Sequence, residues 1–288
     1  MSDYRDVHYA GEGGLDLYAR DYGAPSENAP VILCMHGLTR NSADFHDLAM
    51  HLKDRYRVIS ADQRGRGQSQ WDDEPARYAL PVYCQDMVKL LDHLGAGRVI
   101  LIGTSMGGLM AMIMGVTVRD RLIAAIINDV GPVIEASGLA RIASYTGKTK
   151  PVTSWNDAAE TAKLLNAVAF PDYGAADWMA FAHRLYVEGE DGVPVLAYDP
   201  TISRGLEAAA QTQVVPPDLW PMWDGLNGLP MLAIRGGLSD LLSAETLATM
   251  AERHAGLQTV TVPDRGHAPM LDEPVAVAAI DAFLSGLS

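Results

Sequence analysis

Residues 99–108 read VILIGTSMGG, and this stretch decides the fold. Four apolar residues precede the pattern G-x-S-x-G around Ser105, and a small, apolar stretch follows it. That order predicts a strand, a sharp turn and a helix, with the serine at the turn. The turn leaves no room for side chains two residues to either side, which explains Gly103 and Gly107. A helix beginning after Ser105 directs its N-terminal N–H groups at any negative charge that forms there.

Strand and helix patterns alternate on both sides of this turn. The predicted strands are the hairpin 4–9 and 15–22, then 31–35, 57–61, 99–103, 122–128, 230–235 and 257–262. The predicted helices around them include 42–53, 81–94, 244–253 and 273–284. Such alternation implies right-handed crossovers between parallel strands. The chain is therefore predicted to be α/β, with a mostly parallel, twisted sheet of about eight strands and helices on both faces.

The alternation stops at Gly131-Pro132 and resumes near residue 229. Between them the sequence is rich in Trp, Tyr, Pro and short helical patterns, and no strong strand is evident. We therefore expect 1–132 and 229–288 to form the core, and 133–228 to be a helical cap inserted after the sixth strand. Segments near the carboxyl ends of parallel strands commonly carry specificity in such folds.

Composition narrows the classes of function. The formal net charge of −14 argues against nucleic-acid binding and against an anionic membrane surface. Two cysteines, Cys34 and Cys84, no signal-peptide pattern at the start and no apolar run of membrane-spanning length favour a soluble cytoplasmic protein. No His or Cys cluster has metal-ligand spacing, so we expect neither a metal nor a cofactor.

Three residues at predicted strand ends suit nucleophilic catalysis. A serine hydroxyl needs a base to accept its proton, and the base needs a carboxylate to fix its tautomer. Ser105 follows one strand, Asp240 follows strand 230–235, and His267 follows strand 257–262. Asp129 also ends a strand and is an alternative source of the carboxylate. The chain order Ser, Asp, His is the order of one known arrangement of this triad.

At this point the sequence resembles the α/β-hydrolase superfamily over nearly its whole length. Four motifs carry the resemblance: His36-Gly37-Leu38, Asp62 to Ser69 (DQRGRGQS), Gly103 to Gly108 and Gly266-His267-Ala268-Pro269. It implies that the acid is Asp240, because the Gly-Gly-x-Ser-Asp loop matches the family's commoner placement.

The resemblance also assigns the residues around the triad. The N–H group of Met106, which follows the nucleophile, is one expected oxyanion donor. The N–H group of Leu38 is the second donor that the resemblance implies. His36 and the Asp62–Ser69 turn are then structural.

The type of nucleophile and the residues after the histidine indicate which branch of the superfamily the sequence resembles. Haloalkane dehalogenases and epoxide hydrolases use an aspartate nucleophile, which Ser105 argues against. Ala268-Pro269 after the histidine is similar to carboxylesterases and enol-lactonases, whereas meta-cleavage C–C hydrolases commonly have Trp there. The expected function is hydrolysis of carboxylic esters or lactones of small to medium, largely apolar acyl compounds, through an acyl-enzyme on Ser105. There are two alternative functions. One is hydrolysis of a C–C bond in meta-cleavage products, and the other is ligand binding by a receptor whose triad is inactive.

The substrate pocket is expected to involve aromatic residues of the inserted segment. We predict Tyr145, Trp155, Trp178 and Tyr186 as substrate-binding residues, with Phe170 and Phe181 as further candidates. The expected partner is a small molecule, and the sequence leaves open whether the protein is a monomer or a homodimer.

Overall fold

The computed structural model describes residues 2–204 and 218–287. Its strands, in chain order, are β1 (Arg5–Ala10), β2 (Asp16–Asp21), β3 (Val31–Met35), β4 (Arg57–Ala61), β5 (Val99–Thr104), β6 (Leu122–Asn128), β7 (Tyr186–Glu188), β8 (Pro194–Leu196), β9 (Met231–Gly236) and β10 (Leu257–Val262). Eight of them form one sheet in the order β1-β2-β4-β3-β5-β6-β9-β10. The strands from β4 across to β10 are parallel, and β1 and β2 are antiparallel to their neighbours.

Helices cover both faces of this sheet, because its central strands are apolar on both sides. The helices are α1 (His46–Leu52), α2 (Leu80–His93), α3 (Met106–Thr117), α4 (Ala136–Tyr145), α5 (Trp155–Asn166), α6 (Ala175–Leu185), α7 (Trp220–Asp224), α8 (Ala244–Arg253) and α9 (Pro274–Ser285). Side chains of α1 and α9 pack on one face, and those of α2, α3 and α8 pack on the other. The predicted α/β-hydrolase fold is confirmed.

The direction of the strand order reverses between β3 and β5. The chain runs from β3 outwards to β4 and then crosses to β5 on the other side of β3. In parallel α/β sheets, ligands bind in the crevice outside the carboxyl ends of the strands at such a reversal. The loop after β3 carries Leu38 and the turn after β5 carries Ser105, so the fold brings these two residues to one crevice.

Between β6 and β9 lie α4, α5, α6 and α7, together with the hairpin β7–β8. The hairpin was not expected, because two strands of three residues are too short for alternation to be recognisable. Helices α5 and α6 share an apolar cluster of their own with Tyr186. In contrast, α7 packs on α3, and Trp223 of α7 is fully buried in the main core. Residues 205–217 lie outside the described part of the chain.

The Asp62–Ser69 segment is a buried structural turn. Asp62 accepts hydrogen bonds from the N–H groups of Ser42 and Gln68, at 2.6 and 2.9 Å. The guanidinium of Arg64 is fully buried and bridges the carboxylates of Asp72 and Asp86. Its charge is therefore balanced within the fold, as the resemblance implied.

Candidate active site

Ser105 lies at a strained turn between β5 and α3. Its backbone has φ 52° and ψ −112°, which a residue other than glycine rarely adopts. A Cβ atom on Gly103 would collide with the backbone of Gly107, and one on Gly107 would collide with the carbonyl oxygen of Met35. Only glycine fits at both positions, as predicted. The turn places the Ser105 side chain in the wall of a pocket at the sheet edge.

The imidazole of His267 lies between the serine and a carboxylate. His267 follows β10, and its Nε2 lies 2.8 Å from Ser105 Oγ. Its Nδ1 lies 2.8 Å from Oδ2 of Asp129. Because a carboxylate only accepts hydrogen bonds, this network assigns the ring proton to Nδ1 and leaves Nε2 free to accept the serine proton. The geometry is that of a nucleophile, a general base and an orienting acid.

The carboxylate of Asp129 is fixed from several sides. The residue follows β6 with φ 56°, and it is fully buried. Oδ1 accepts a hydrogen bond from the N–H group of Gly236 at 2.8 Å, and Oδ2 accepts one from Ser239 Oγ at 2.7 Å. These bonds compensate for burial of the carboxylate and aim Oδ2 at His267. Ser239 was not among the predicted site residues.

The prediction that Asp240 is the carboxylate on His267 is wrong. The Asp240 carboxylate instead pairs with Arg141 of α4, at 2.6 and 2.8 Å. That hydrogen-bonded pair lowers the pKa of Asp240. The loop after β9 turns at Gly236, whose carbonyl accepts from the N–H group of Ser239, so Ser239 rather than Asp240 faces the triad. Motif spacing selected the loop after β9, whereas the carboxylate on His267 comes from the residue after β6.

Of the two predicted oxyanion donors, one directly follows Ser105 in the chain and the other lies in the loop after β3. Met106 is the first residue of α3, so its N–H group has no acceptor within the helix. Leu38 lines the pocket together with Ser105. Among the described residues, neither N–H group donates to a protein acceptor. Both N–H groups are therefore unoccupied in this part of the chain, as the predicted role of oxyanion donors requires.

A buried arginine connects these two donors. Arg66 is fully buried, and its Nε donates to the carbonyl oxygen of Leu38 at 3.0 Å. Its Nη2 lies 3.8 Å from Sδ of Met106, and its Nη1 donates to Tyr83 Oη at 2.9 Å. Arg66 thus holds the loop after β3 against the start of α3.

His36 has a structural position, as the resemblance implied. Its Nδ1 donates to the carbonyl oxygen of Gly37 at 2.6 Å, and its Nε2 accepts from the N–H group of Gln63 at 3.0 Å. Because Nε2 accepts, the ring is neutral. Burial lowers the pKa of His36 to about 3.

This lowered pKa predicts a pH dependence of stability. The unfolded imidazole, with a pKa of 6.5, binds a proton that the folded one does not, so stability falls as pH drops below 6.5 towards 3. In H36N, we expect the slope of unfolding free energy against pH to decrease by about 1.4 kcal/mol per pH unit. Urea unfolding of both proteins between pH 4 and 5.5 measures this, and equal slopes would contradict it.

The pocket above Ser105 divides the predicted aromatic residues into two groups. Tyr145 and Tyr186 line it, and so do Phe170 and Phe181. Trp178 lies behind Phe170 and Phe181, with Nε1 donating to the carbonyl oxygen of Tyr173.

The predictions that Trp155 and Trp178 contact substrate are therefore not supported by the pocket geometry. Trp155 stacks on His183, with a centroid separation of 3.9 Å, away from the pocket. On α6 it is Phe181 and Leu185, one turn apart, that face the pocket, and Trp178 fills the space behind them.

The described residues contain neither a membrane-spanning helix nor a metal-binding cluster. Across residues 2–204 and 218–287, no helix has the length and apolar character needed to cross a membrane. Within the same ranges, no three His, Cys, Asp or Glu side chains come together as a metal-binding group.

Comparison with known proteins gives consistent matches over most of the chain. A family model described as the alpha/beta hydrolase family matches residues 31–280. The 3-hydroxybutyrate-oligomer hydrolase of Cupriavidus necator is 33% identical over 271 residues, covering 92% of each chain. The 2-(acetamidomethylene)succinate hydrolase of Mesorhizobium japonicum is 28% identical and covers 88% of this chain and 86% of its own. A crystal structure of an alpha/beta hydrolase from Novosphingobium aromaticivorans superimposes with a TM-score of 0.93, at 39% identity and 99% coverage of both chains.

Proposed function

Because this chain belongs to the alpha/beta hydrolase family, we propose that it is a serine hydrolase of carboxylic esters or lactones, acting through an acyl-enzyme on Ser105. The observation that carries the proposal is the continuous line of hydrogen bonds from Ser105 Oγ through His267 to Asp129. Each separation is 2.8 Å, which is within reach for proton transfer.

In the first half of the reaction, Ser105 Oγ attacks the ester carbonyl carbon while His267 Nε2 accepts the hydroxyl proton. Asp129 stabilises the imidazolium that forms. The carbonyl oxygen becomes an oxyanion and accepts hydrogen bonds from the N–H groups of Leu38 and Met106. The tetrahedral intermediate then collapses, the C–O bond to the alcohol breaks, and His267 returns the proton to the departing alkoxide.

In the second half, His267 removes a proton from a water molecule that attacks the acyl carbon. The second tetrahedral intermediate expels Ser105 Oγ, which regains its proton from His267. The products are one alcohol and one carboxylic acid, and the enzyme returns to its starting state. Neither half requires a metal or a cofactor.

The pocket lining supports an acyl group of small to medium size. Apolar side chains from the inserted segment form one wall, and they are Ile142, Phe170, Phe181, Leu185 and Leu196. Burial of an alkyl chain against this wall contributes about 0.8 kcal/mol per methylene. The related 3-hydroxybutyrate-oligomer hydrolase supports ester bonds as the target.

A labelling and substrate experiment tests the proposal. We expect a fluorophosphonate probe to modify Ser105, with the labelled peptide identified by mass spectrometry. We also expect turnover of p-nitrophenyl esters from acetate to octanoate, and of at least one lactone. An unreactive Ser105 would favour a ligand-binding protein, and turnover of a meta-cleavage product alone would favour C–C hydrolysis.

A further inference from the structure

A cationic side chain lies in the pocket wall beside the nucleophile. Arg40 lies in the loop after β3, two residues beyond Leu38. Its Cγ lies 3.6 Å from the position that a Cβ on Gly37 would occupy. Ser105 Cβ lies 3.7 Å from that same position. Arg40 lines the pocket, and its side chain is only 14% exposed. Among the described residues that line this pocket, it is the only arginine or lysine.

The guanidinium of Arg40 is fixed on one edge and on one face. Its Nε donates to Oδ2 of Asp44 at 2.7 Å, and its Nη2 donates to Oδ1 at 2.5 Å. The carbon atom of the guanidinium lies 4.2 Å from the ring centroid of Phe181. Within the described part of the chain, Nη1 donates to no protein acceptor. One donor group of a rigid, oriented cation therefore remains available.

Elsewhere in this protein, another arginine that is paired with one aspartate in this way also binds a second carboxylate. Arg64 donates from Nε and Nη2 to Asp86, at 2.8 and 2.7 Å, in the same way that Arg40 donates to Asp44. Nη1 of Arg64 additionally donates to Asp72 at 2.5 Å. The guanidinium fork thus holds two carboxylates at once, one on each side. At Arg40, the position that corresponds to Asp72 is not filled by a described residue.

We propose that Arg40 Nη1 binds a free carboxylate on the substrate, so that the enzyme prefers anionic esters to neutral ones. This inference rests on the proposed ester hydrolysis at Ser105 and names its substrate class. The substrate is an ester with a carboxylate elsewhere in the molecule, such as an ester-linked oligomer of a hydroxy acid. The overall charge of −14 repels such anions, so a local cation is needed to hold one.

Asp44 limits the strength of this site without blocking it. Its carboxylate neutralises part of the Arg40 charge, but it occupies the Nε and Nη2 edge rather than Nη1. Partial burial strengthens the remaining charge-assisted hydrogen bond relative to one in water. We therefore expect a preference for the anion of about 10- to 100-fold, the range of one such bond.

A matched pair of substrates isolates this contact. The linear dimer of 3-hydroxybutyrate has a free carboxylate, and its primary amide is neutral at the same position without adding a second ester bond. We expect the ratio of kcat/KM on the free acid to kcat/KM on the amide, both for the one internal ester bond, to fall about 10- to 100-fold in R40M. The double variant R40M/D44N removes both charges, so that no carboxylate is left unpaired, and it should show the same fall.

D44N is the control that tests whether the charge of Arg40 causes the preference for the free acid. In D44N no neighbouring carboxylate neutralises the Arg40 charge, so the preference for the free acid should increase. An unchanged ratio in R40M and R40M/D44N, or a decreased preference in D44N, would overturn the inference. Fluorophosphonate labelling of Ser105 in the same variants distinguishes this failure from failure of the proposed hydrolysis itself.

Discussion

In D129N, we expect kcat for ester hydrolysis to fall by about 10⁴-fold. The carboxylate of Asp129 accepts the Nδ1 proton of His267 at 2.8 Å and is fully buried. An asparagine amide that turns its NH₂ group to Nδ1 fixes the other tautomer, in which Nε2 carries the proton and cannot accept one from Ser105. The variant keeps the size of the side chain, so the packing around β6 is retained. Stopped assays on p-nitrophenyl butyrate, with thermal unfolding measured in parallel, provide the test.

D240N is the matched control for this prediction. Asp240 lies in the loop after β9 and is one-third exposed, and its partner is Arg141 rather than His267. Exposed ion pairs contribute about 0–1 kcal/mol, so D240N should retain kcat to within about fivefold. A loss of about 10⁴-fold in D240N but not in D129N would show that Asp240, and not Asp129, is the acid.

S105A should lower kcat by about 10⁴- to 10⁶-fold, because no covalent acyl-enzyme can form. The oxyanion donors and the pocket remain, so residual activity above the uncatalysed rate is expected. Alanine keeps Cβ and therefore leaves the turn between Gly103 and Gly107 unchanged.

Ser144 supplies the control for this second prediction. It is an exposed serine on α4, and its Oγ donates to the carbonyl oxygen of Arg141. S144A should retain wild-type kcat and fluorophosphonate labelling, whereas S105A should lose both. An S105A protein that hydrolyses aryl esters at the wild-type rate would disprove the acyl-enzyme mechanism.

The sequence predicted the core of the fold well because its constraints are local. Gly103 and Gly107 are imposed by a single turn, and β3 and β6 are long apolar runs that suit a strand buried on both faces. The ends of β3, β4 and β6 match the predicted ones. The hairpin β7–β8 was not predicted, because strands of three residues are too short to show the alternation of polar and apolar residues.

The site was predicted in part, and the difference has a physical origin. Ser105 and His267 each occupy a turn whose motif fixes the direction of the side chain. Asp129 and Asp240 both follow adjacent parallel strands, so strand order alone cannot separate them. Their roles are decided by the backbone of each loop, and by the presence of Arg141 opposite Asp240. Neither factor is encoded in local spacing.

The pocket residues were harder to predict for a similar reason. Aromatic content indicated which segment would supply them, but orientation on the helix decides contact. Phe181 and Leu185 share one side of α6, and Trp178 lies behind them. Arg40 lines the same pocket but was not among the predicted site residues.

The loop formed by residues 236–240 supports both the triad and the pocket wall. Through Gly236 and Ser239 it positions the Asp129 carboxylate. Through the carbonyl and carboxylate of Asp240 it anchors Gly138 and Arg141 of α4, the helix that contributes Tyr145 to the pocket. The position of the acid and the shape of the substrate pocket therefore both depend on this loop. A substitution that displaces this loop changes kcat and KM together. Changes in α4 that adapt the pocket to a new substrate are therefore limited, because they must leave the Asp129 carboxylate in place.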